Sequence, residues 1–179
     1  RITAEWYKGT ADAVHQNLDI LRRHDAKFVL ILAGDHVYRM DYGKLLADHV
    51  AKTADMTVGC VEVPLADASS YGVMSVDEGL RVKAFQEKPA HALAQPGSPD
   101  AALASMGIYV FNAPFLYEQL MRDADDPRSS HDFGKDIIPH LITRGYRIVA
   151  HRFSDSGIAR RGAAPYWRDV GTIDAYWEA

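Results

Sequence analysis

Phe28-Val29-Leu30-Ile31-Leu32 is a short, continuous apolar run that stops at Gly34-Asp35-His36. An unbroken run of this length predicts a strand buried on both faces, as in a parallel sheet. Upstream, Thr10 or Asp12 can cap a helix reaching about Arg23, with Val14, Leu18 and Leu21 on one face. Downstream, Asp41 opens a helix in which Tyr42, Leu45, Leu46, His49 and Val50 recur at helical spacing. Thr57 to Val63 reads as another strand, ended by Pro64. Strand, helix, strand is the grammar of an α/β fold.

The style changes after Pro64. Val73 to Val76, the turn Asp77-Glu78-Gly79 and Leu80 to Phe85 predict an antiparallel hairpin. Residues 90–102 read as a surface loop with Pro96 and Pro99. Ser105 to Phe111 is a strand, and Asn112 caps a helix with Pro114 in its first turn. Ile137 to Arg144 is helical and closed by Gly145. Tyr146 to Phe153 alternates as a strand, Ser154 to Pro165 is a polar loop, and Thr172 starts a last helix. The expected architecture is a mostly parallel sheet with a β-rich insertion.

Composition sets the outer limits. The 179 residues are 47% apolar and 25% charged, enough for one domain with a sizeable core. A net charge of −4 argues against a broad basic surface for nucleic acid or anionic lipid. No apolar run has the length of a membrane span. Nothing at Arg1 resembles a signal peptide, and a single cysteine, Cys60, excludes an internal disulfide framework, so a cytoplasmic protein is expected. Serine hydrolase and P-loop NTPase drop out, because neither a Gly-x-Ser-x-Gly elbow nor a Gly-x-x-x-x-Gly-Lys-Thr loop is present. The histidines lack metal-ligand spacing, His49 reads as a core-edge residue, and Cys60 lies mid-strand as a packing residue.

Open parallel sheets bind ligands beyond the carboxyl ends of their strands. Asp35 stands at such an end, after Gly34, which leaves room for a ligand near the backbone. A carboxylate there needs a partner or a metal, unless it only caps a loop or the helix near Asp41. A second carboxylate, Asp169, lies in the dense stretch Tyr166-Trp167-Arg168-Asp169-Val170-Gly171-Thr172. Two Asp carboxylates brought together make an oxygen-ligand site suited to Mg²⁺. The alternative is that Asp169 pairs with Arg168 or caps the final helix. In Glu87-Lys88-Pro89 the proline restricts Lys88 to an extended conformation, which would aim its ammonium at a phosphate while Glu87 accepts from hydroxyls. Such a tripeptide also occurs as an ordinary surface turn.

The motifs in order carry a resemblance. Trp6-Tyr7-Lys8-Gly9-Thr10-Ala11-Asp12-Ala13, Leu32-Ala33-Gly34-Asp35-His36, Tyr71-Gly72-Val73-Met74 and Phe85-Gln86-Glu87-Lys88-Pro89 are followed by Ser105-Met106-Gly107-Ile108-Tyr109-Val110-Phe111. Ser130-His131-Asp132-Phe133-Gly134-Lys135-Asp136 and the stretch from Tyr166 to Thr172 complete the series. Over essentially its whole length the chain resembles the glucose-1-phosphate adenylyltransferase family of the bacterial glycogen type. The resemblance implies a Rossmann-like α/β fold of the nucleotide-diphospho-sugar transferase type. It also implies joining of ATP and α-glucose 1-phosphate to give ADP-glucose and pyrophosphate. Asp35 and Asp169 would hold the catalytic Mg²⁺, Lys88 the sugar phosphate and Glu87 the glucose hydroxyls. Tyr7, Gly72 and Ser105 would complete the glucose 1-phosphate pocket, with Tyr109, Asp132, Phe133 and Trp167 as sugar-side wall residues. A homotetrameric parent is implied as well, with no nucleic-acid or membrane partner.

The chain departs from the family pattern in places. Lys8 stands where Arg is common, keeping the charge and losing the planar fork. The opening strand, its Gly-rich nucleotide loop and the C-terminal β-helix are missing, so residues 1–179 are expected to be an interior part of the catalytic domain, poorly active alone. Two alternatives remain at this level: a sugar-nucleotide transferase using UTP, dTTP or GTP, and a non-catalytic regulatory subunit of the same fold.

Overall fold

The computed structural model describes residues 6–159 and 163–179. In chain order the strands are β1 (Phe28–Ile31), β2 (His36–Tyr38), β3 (Met56–Pro64), β4 (Gly72–Val76), β5 (Val82–Glu87), β6 (Ala101–Asn112), β7 (Ile148–Arg152) and β8 (Trp167–Asp169). The α-helices are α1 (Thr10–His15), α2 (Leu18–Arg23), α3 (Tyr42–Ala51), α4 (Ala113–Ala124), α5 (Ile138–Thr143), α6 (Phe153–Ser156) and α7 (Ile173–Glu178). A 3-10 turn spans Leu65–Ser70 and a π-helical turn Phe133–Ile137.

The main sheet has the order β5-β4-β6-β3-β7, with β1 also on β6, while β2 and β8 form a separate ladder. Strands β1, β3, β4 and β7 share one sense and β5 and β6 oppose it. Most strands therefore run the same way in an α/β sheet, although β3 and β7 are the one directly bonded parallel pair among the described strands.

The antiparallel β6 sets the shape of the site. One edge pairs with β3 along its length; the other is divided, with Leu103 and Ala104 on β4 and Tyr109 to Asn112 on β1. Between the two branches Gly107 has φ +65°, and β6 bulges there: Met106 and Gly107 fall outside its ladder with β3, whose register shifts between Gly59 and Cys60. The carboxyl end of β1 and the amino end of β4 thus point toward each other over Ser105–Ile108, leaving a fork in the sheet.

Helices cover both faces because β6 alternates. Met106, Ile108 and Val110 pack with Leu45 of α3 and Phe153 of α6. Phe111 packs on the other face with Leu116 and Leu120 of α4, Phe133, Ile137 and Leu141. Asp41 caps α3 through its side chain, which accepts from the Gly43 N–H, and Thr172 caps α7 by accepting from Ala175.

Several local expectations are corrected. The first helix is two, because the Asn17 side chain donates to the Ala13 carbonyl and competes for a backbone acceptor at the break. The run at Phe28 is a branch strand bonded to β6 alone, with Leu30 38% and Leu32 44% exposed, so it is not buried on both faces. Strand β7, expected to alternate, is the one buried almost throughout, because it lies parallel beside β3 with helices on both sides. Asn112 precedes α4 without a side-chain cap; its amide instead donates to the Ala54 carbonyl. Among the described residues no helix is long and apolar enough to cross a membrane.

Candidate functional site

Asp35 and His36 follow β1 into the fork. The β2–β8 ladder sets His36 opposite Asp169, and the Val170 N–H donates to the Asp35 carbonyl at 2.8 Å. This pairing brings two carboxylates 134 positions apart in the sequence to one place. Asp35, His36 and Asp169 each offer a ligand atom, all within 4.8 Å of one another, with both carboxylates exposed and His36 half-buried. Neither Asp is consumed as a local structural residue might be. Asp41, not Asp35, caps α3. Arg168 pairs with Glu178, not with Asp169, and Thr172 caps the last helix. Asp169 accepts one bond, from the Gly171 N–H at 2.8 Å, so oxygen lone pairs remain. Two carboxylates and an imidazole are a donor set that fits a divalent cation.

The other branch of the fork carries Gly72, Glu87 and Lys88. Gly72 opens β4 opposite Glu87, which ends β5. A Cβ at Gly72 would lie 2.7 Å from the Phe85 ring and 3.1 Å from the Glu87 carboxylate, so glycine is required there by close approach. Lys88 is not extended as Pro89 led us to expect. Its φ is +43°, held by its N–H donating to the Tyr71 carbonyl at 3.0 Å. Pro89 disfavours the right-handed helical region, and the Tyr71 bond selects the left-handed one, at a cost of about 1–3 kcal/mol.

The branches meet through aromatic rings. Tyr71 lies 5.9 Å from Trp167, and Trp167 stands edge-on to His36 at 5.3 Å. Ser105, on the floor, accepts from the Gly107 N–H at 3.3 Å. Tyr109 is beside it; burial first, then the nearby Asp132, Cys60 and Glu87, push its hydroxyl up to about 12 against a bond from Ser105.

Three further residues singled out in the sequence lie toward α1 and the π-helical turn. The Asp132 carboxylate is engaged, accepting from Gly134, Lys135 and the Thr10 hydroxyl at 2.9–3.0 Å, so it caps the π-helical turn and ties it to α1. The Phe133 ring is 2% exposed in the core, 5.4 Å from Tyr109. The Tyr7 hydroxyl accepts from Asn17 at 3.3 Å, near α1. Sequence reasoning passed over His36, Tyr71 and Gly107, although all three lie inside the quoted motifs. His49 is fully buried, not at the core edge, and bonds Thr57; Cys60 is buried, which pushes its thiol up and suits packing. A cavity of about 570 Å³ lined by Val37, Ile158 and Tyr166 contains none of the candidate residues. The site is an open fork, shaped to hold a ligand between two branches.

A sheet forked beyond its strand ends, carrying paired carboxylates on one branch and Glu-Lys on the other, is the frame on which the comparisons fall. The model of the nucleotidyl transferase family matches residues 2–179, and the chain belongs to that family. It is 69% identical over its full length to a glucose-1-phosphate adenylyltransferase of Methylobacillus flagellatus and 63% identical to that of Nitrosospira multiformis. With the protein of the same name from Nitrosomonas europaea it shares 60% over 174 residues. The chain spans about two fifths of the length of these curated relatives, 42%, 42% and 40% respectively.

Proposed function

We propose that this chain forms the sugar-phosphate half of a glucose-1-phosphate adenylyltransferase, which converts ATP and α-glucose 1-phosphate to ADP-glucose and pyrophosphate. The observation that carries the reading is the convergence of Asp35 and Asp169, with His36, within 4.8 Å at the end of β1. The names of relatives 57–69% identical to the chain support the choice of reaction.

In this reaction a sugar-phosphate oxygen attacks the α-phosphorus of ATP and pyrophosphate leaves, so no protein nucleophile is required. The protein's task is to position two anions and offset the charge that accumulates between them. Asp35 and Asp169 would hold Mg²⁺, which when bound neutralises phosphate charge and orients the reacting oxygens. Lys88, on its fixed backbone, presents an ammonium to the sugar phosphate. Glu87 accepts from sugar hydroxyls beside Gly72, where the absent side chain lets the sugar approach the backbone. Ser105 and Tyr109 line the floor and Trp167 the wall; Tyr7, Asp132 and Phe133 support that pocket from the α1 side. On the same resemblance we assign the intact protein to the cytoplasm and to a homotetramer, with no nucleic-acid or membrane partner.

The test is pyrophosphate release by the intact protein carrying this chain. Asp35→Asn should lower turnover by about 10²-fold or more, as loss of a main electrostatic element does, with the thermal midpoint unchanged. Near-normal turnover in that variant refutes the assignment.

A further inference from the structure

His36 is not explained by the carboxylate pair alone. Its ring is 11% exposed, its Nδ1 is buried without a partner, and Nε2 lies 3.6 Å from Asp35 Oδ1, beyond hydrogen-bond distance. Among the described residues Nδ1 has no partner and Nε2 meets the Asp35 carboxylate only at ion-pair distance, an arrangement that is costly to keep in a largely buried imidazole. Its orientation is nevertheless well defined. Trp167 packs edge-on at 5.3 Å and 79°. On another side lies Gly107: a Cβ there would be 3.6 Å from His36 Cε1, ordinary contact, and 3.0 Å from the Ala33 methyl. Directly opposed residues of an antiparallel ladder project from the same face, so the His36–Asp169 pairing turns this ring toward the Asp169 carboxylate.

We propose that His36 is a third ligand of the cation held by Asp35 and Asp169, and that its nitrogen biases the site toward borderline divalent cations such as Mn²⁺ and Co²⁺ over Mg²⁺. The inference rests on the reading of the two carboxylates as a metal pair given above. Three donors within 4.8 Å of one another need shifts of only a few tenths of an ångström to share one ion, since ligands at about 2.0–2.2 Å span at most about 4.4 Å. An imidazole suits first-row transition ions, whereas Mg²⁺ prefers oxygen alone, so replacing one oxygen position by nitrogen changes the order of preference. Both carboxylates are exposed, and the imidazole is largely covered.

The experiment uses the intact protein, stripped with a chelator and titrated with Mn²⁺, Co²⁺ and Mg²⁺ without substrate. The readouts are Mn²⁺ electron paramagnetic resonance, including the nitrogen modulation that a directly bound imidazole produces, and the visible spectrum of Co²⁺. Wild-type protein should show the modulation. His36→Ala should lose it and bind Mn²⁺ about 10–100-fold more weakly, with Mg²⁺ affinity changed by less than about threefold. His36→Asn, which keeps a side chain of similar reach with an oxygen donor, should retain Mg²⁺ and lose the Mn²⁺ preference, which guards against a variant that merely misfolds. If His36→Ala keeps both the modulation and the Mn²⁺-to-Mg²⁺ ratio while Asp35→Asn loses the metal, His36 is no ligand and the carboxylate pair stands. If Asp35→Asn and Asp169→Asn bind as the wild type does, the pair itself fails and the inference with it.

Discussion

The Tyr71 ring lies 5.9 Å from the Trp167 ring, and through that contact the two branches of the fork touch. The Tyr71 backbone carbonyl also accepts the Lys88 N–H at 3.0 Å, while Trp167 lies two residues before Asp169. Tyr71 therefore links, by its carbonyl on one side and its ring on the other, the residue we assign to the sugar phosphate with a carboxylate we assign to the cation. Tyr71→Ala should raise the KM for glucose 1-phosphate and weaken divalent-cation binding together, each by about tenfold, whereas a purely local role would move one alone. Steady-state kinetics at varied sugar phosphate and varied cation separate the two cases.

Lys88 holds φ at +43°. Glycine adopts that conformation without steric cost, so Lys88→Gly should remove strain, less the entropy a glycine adds to the unfolded chain. We expect denaturant unfolding to show a variant as stable as the parent or more stable by about 1 kcal/mol. Its kcat/KM for glucose 1-phosphate should nonetheless fall by at least about tenfold, because the phosphate loses its cation. A Lys88→Gly protein that is both markedly less stable and fully active contradicts the assignment.

Gly72 tests close approach. A valine there would meet the Phe85 ring, already 2.7 Å from a bare Cβ, and would push against Glu87. Overpacking of this kind costs about 1–3 kcal/mol. Thermal unfolding should register that loss, and the KM for glucose 1-phosphate should rise more than kcat falls.

Acid should weaken the fold through two histidines. Burial lowers the affinity of His49 for a proton below its ordinary value of 6.5, despite Asn112, Asp55 and Asp48 nearby. Burial, with Arg122 and Arg144, does the same to His140. The unfolded chain then binds protons that the native state refuses, so stability is full above pH 6.5 and declines as pH falls below it. Urea unfolding at about pH 7.5 and about pH 5.5 should show this decline, with a smaller one in His49→Gln. A protein that becomes more stable on acidification through this range would contradict it.

Much of the fold was legible because element type depends on local pattern. The helix from Tyr42, the hairpin at Asp77-Glu78-Gly79 and the cap at Thr172 all follow from nearby residues. Burial depends on neighbours, and there the reading reversed. Phe28 to Leu32 looked doubly buried and is half-exposed, while Ile148 to Arg152 looked one-sided and is covered on both faces. Nothing in either stretch records which strand lies beside it. The site divides along the same line. Asp35 stood out because a charge follows an apolar strand, but the partnership with Asp169 is made by a ladder between two three-residue strands, too short to leave a periodic signal. His36 was overlooked because its significance lies in an unpaired ring nitrogen. Asp132, expected as a sugar-side wall residue, also caps the π-helical turn, a bond that its position in the sequence does not announce.

The division of one edge of β6 between β1 and β4 has a mechanical meaning. On its other edge β6 stays bonded to β3 on both sides of Gly107, so a single strand carries both branches. The left-handed Gly107 sits where the partner changes. The carboxylates after β1 and the Glu-Lys pair after β5 are thereby set across a gap whose width is written in the backbone of one strand.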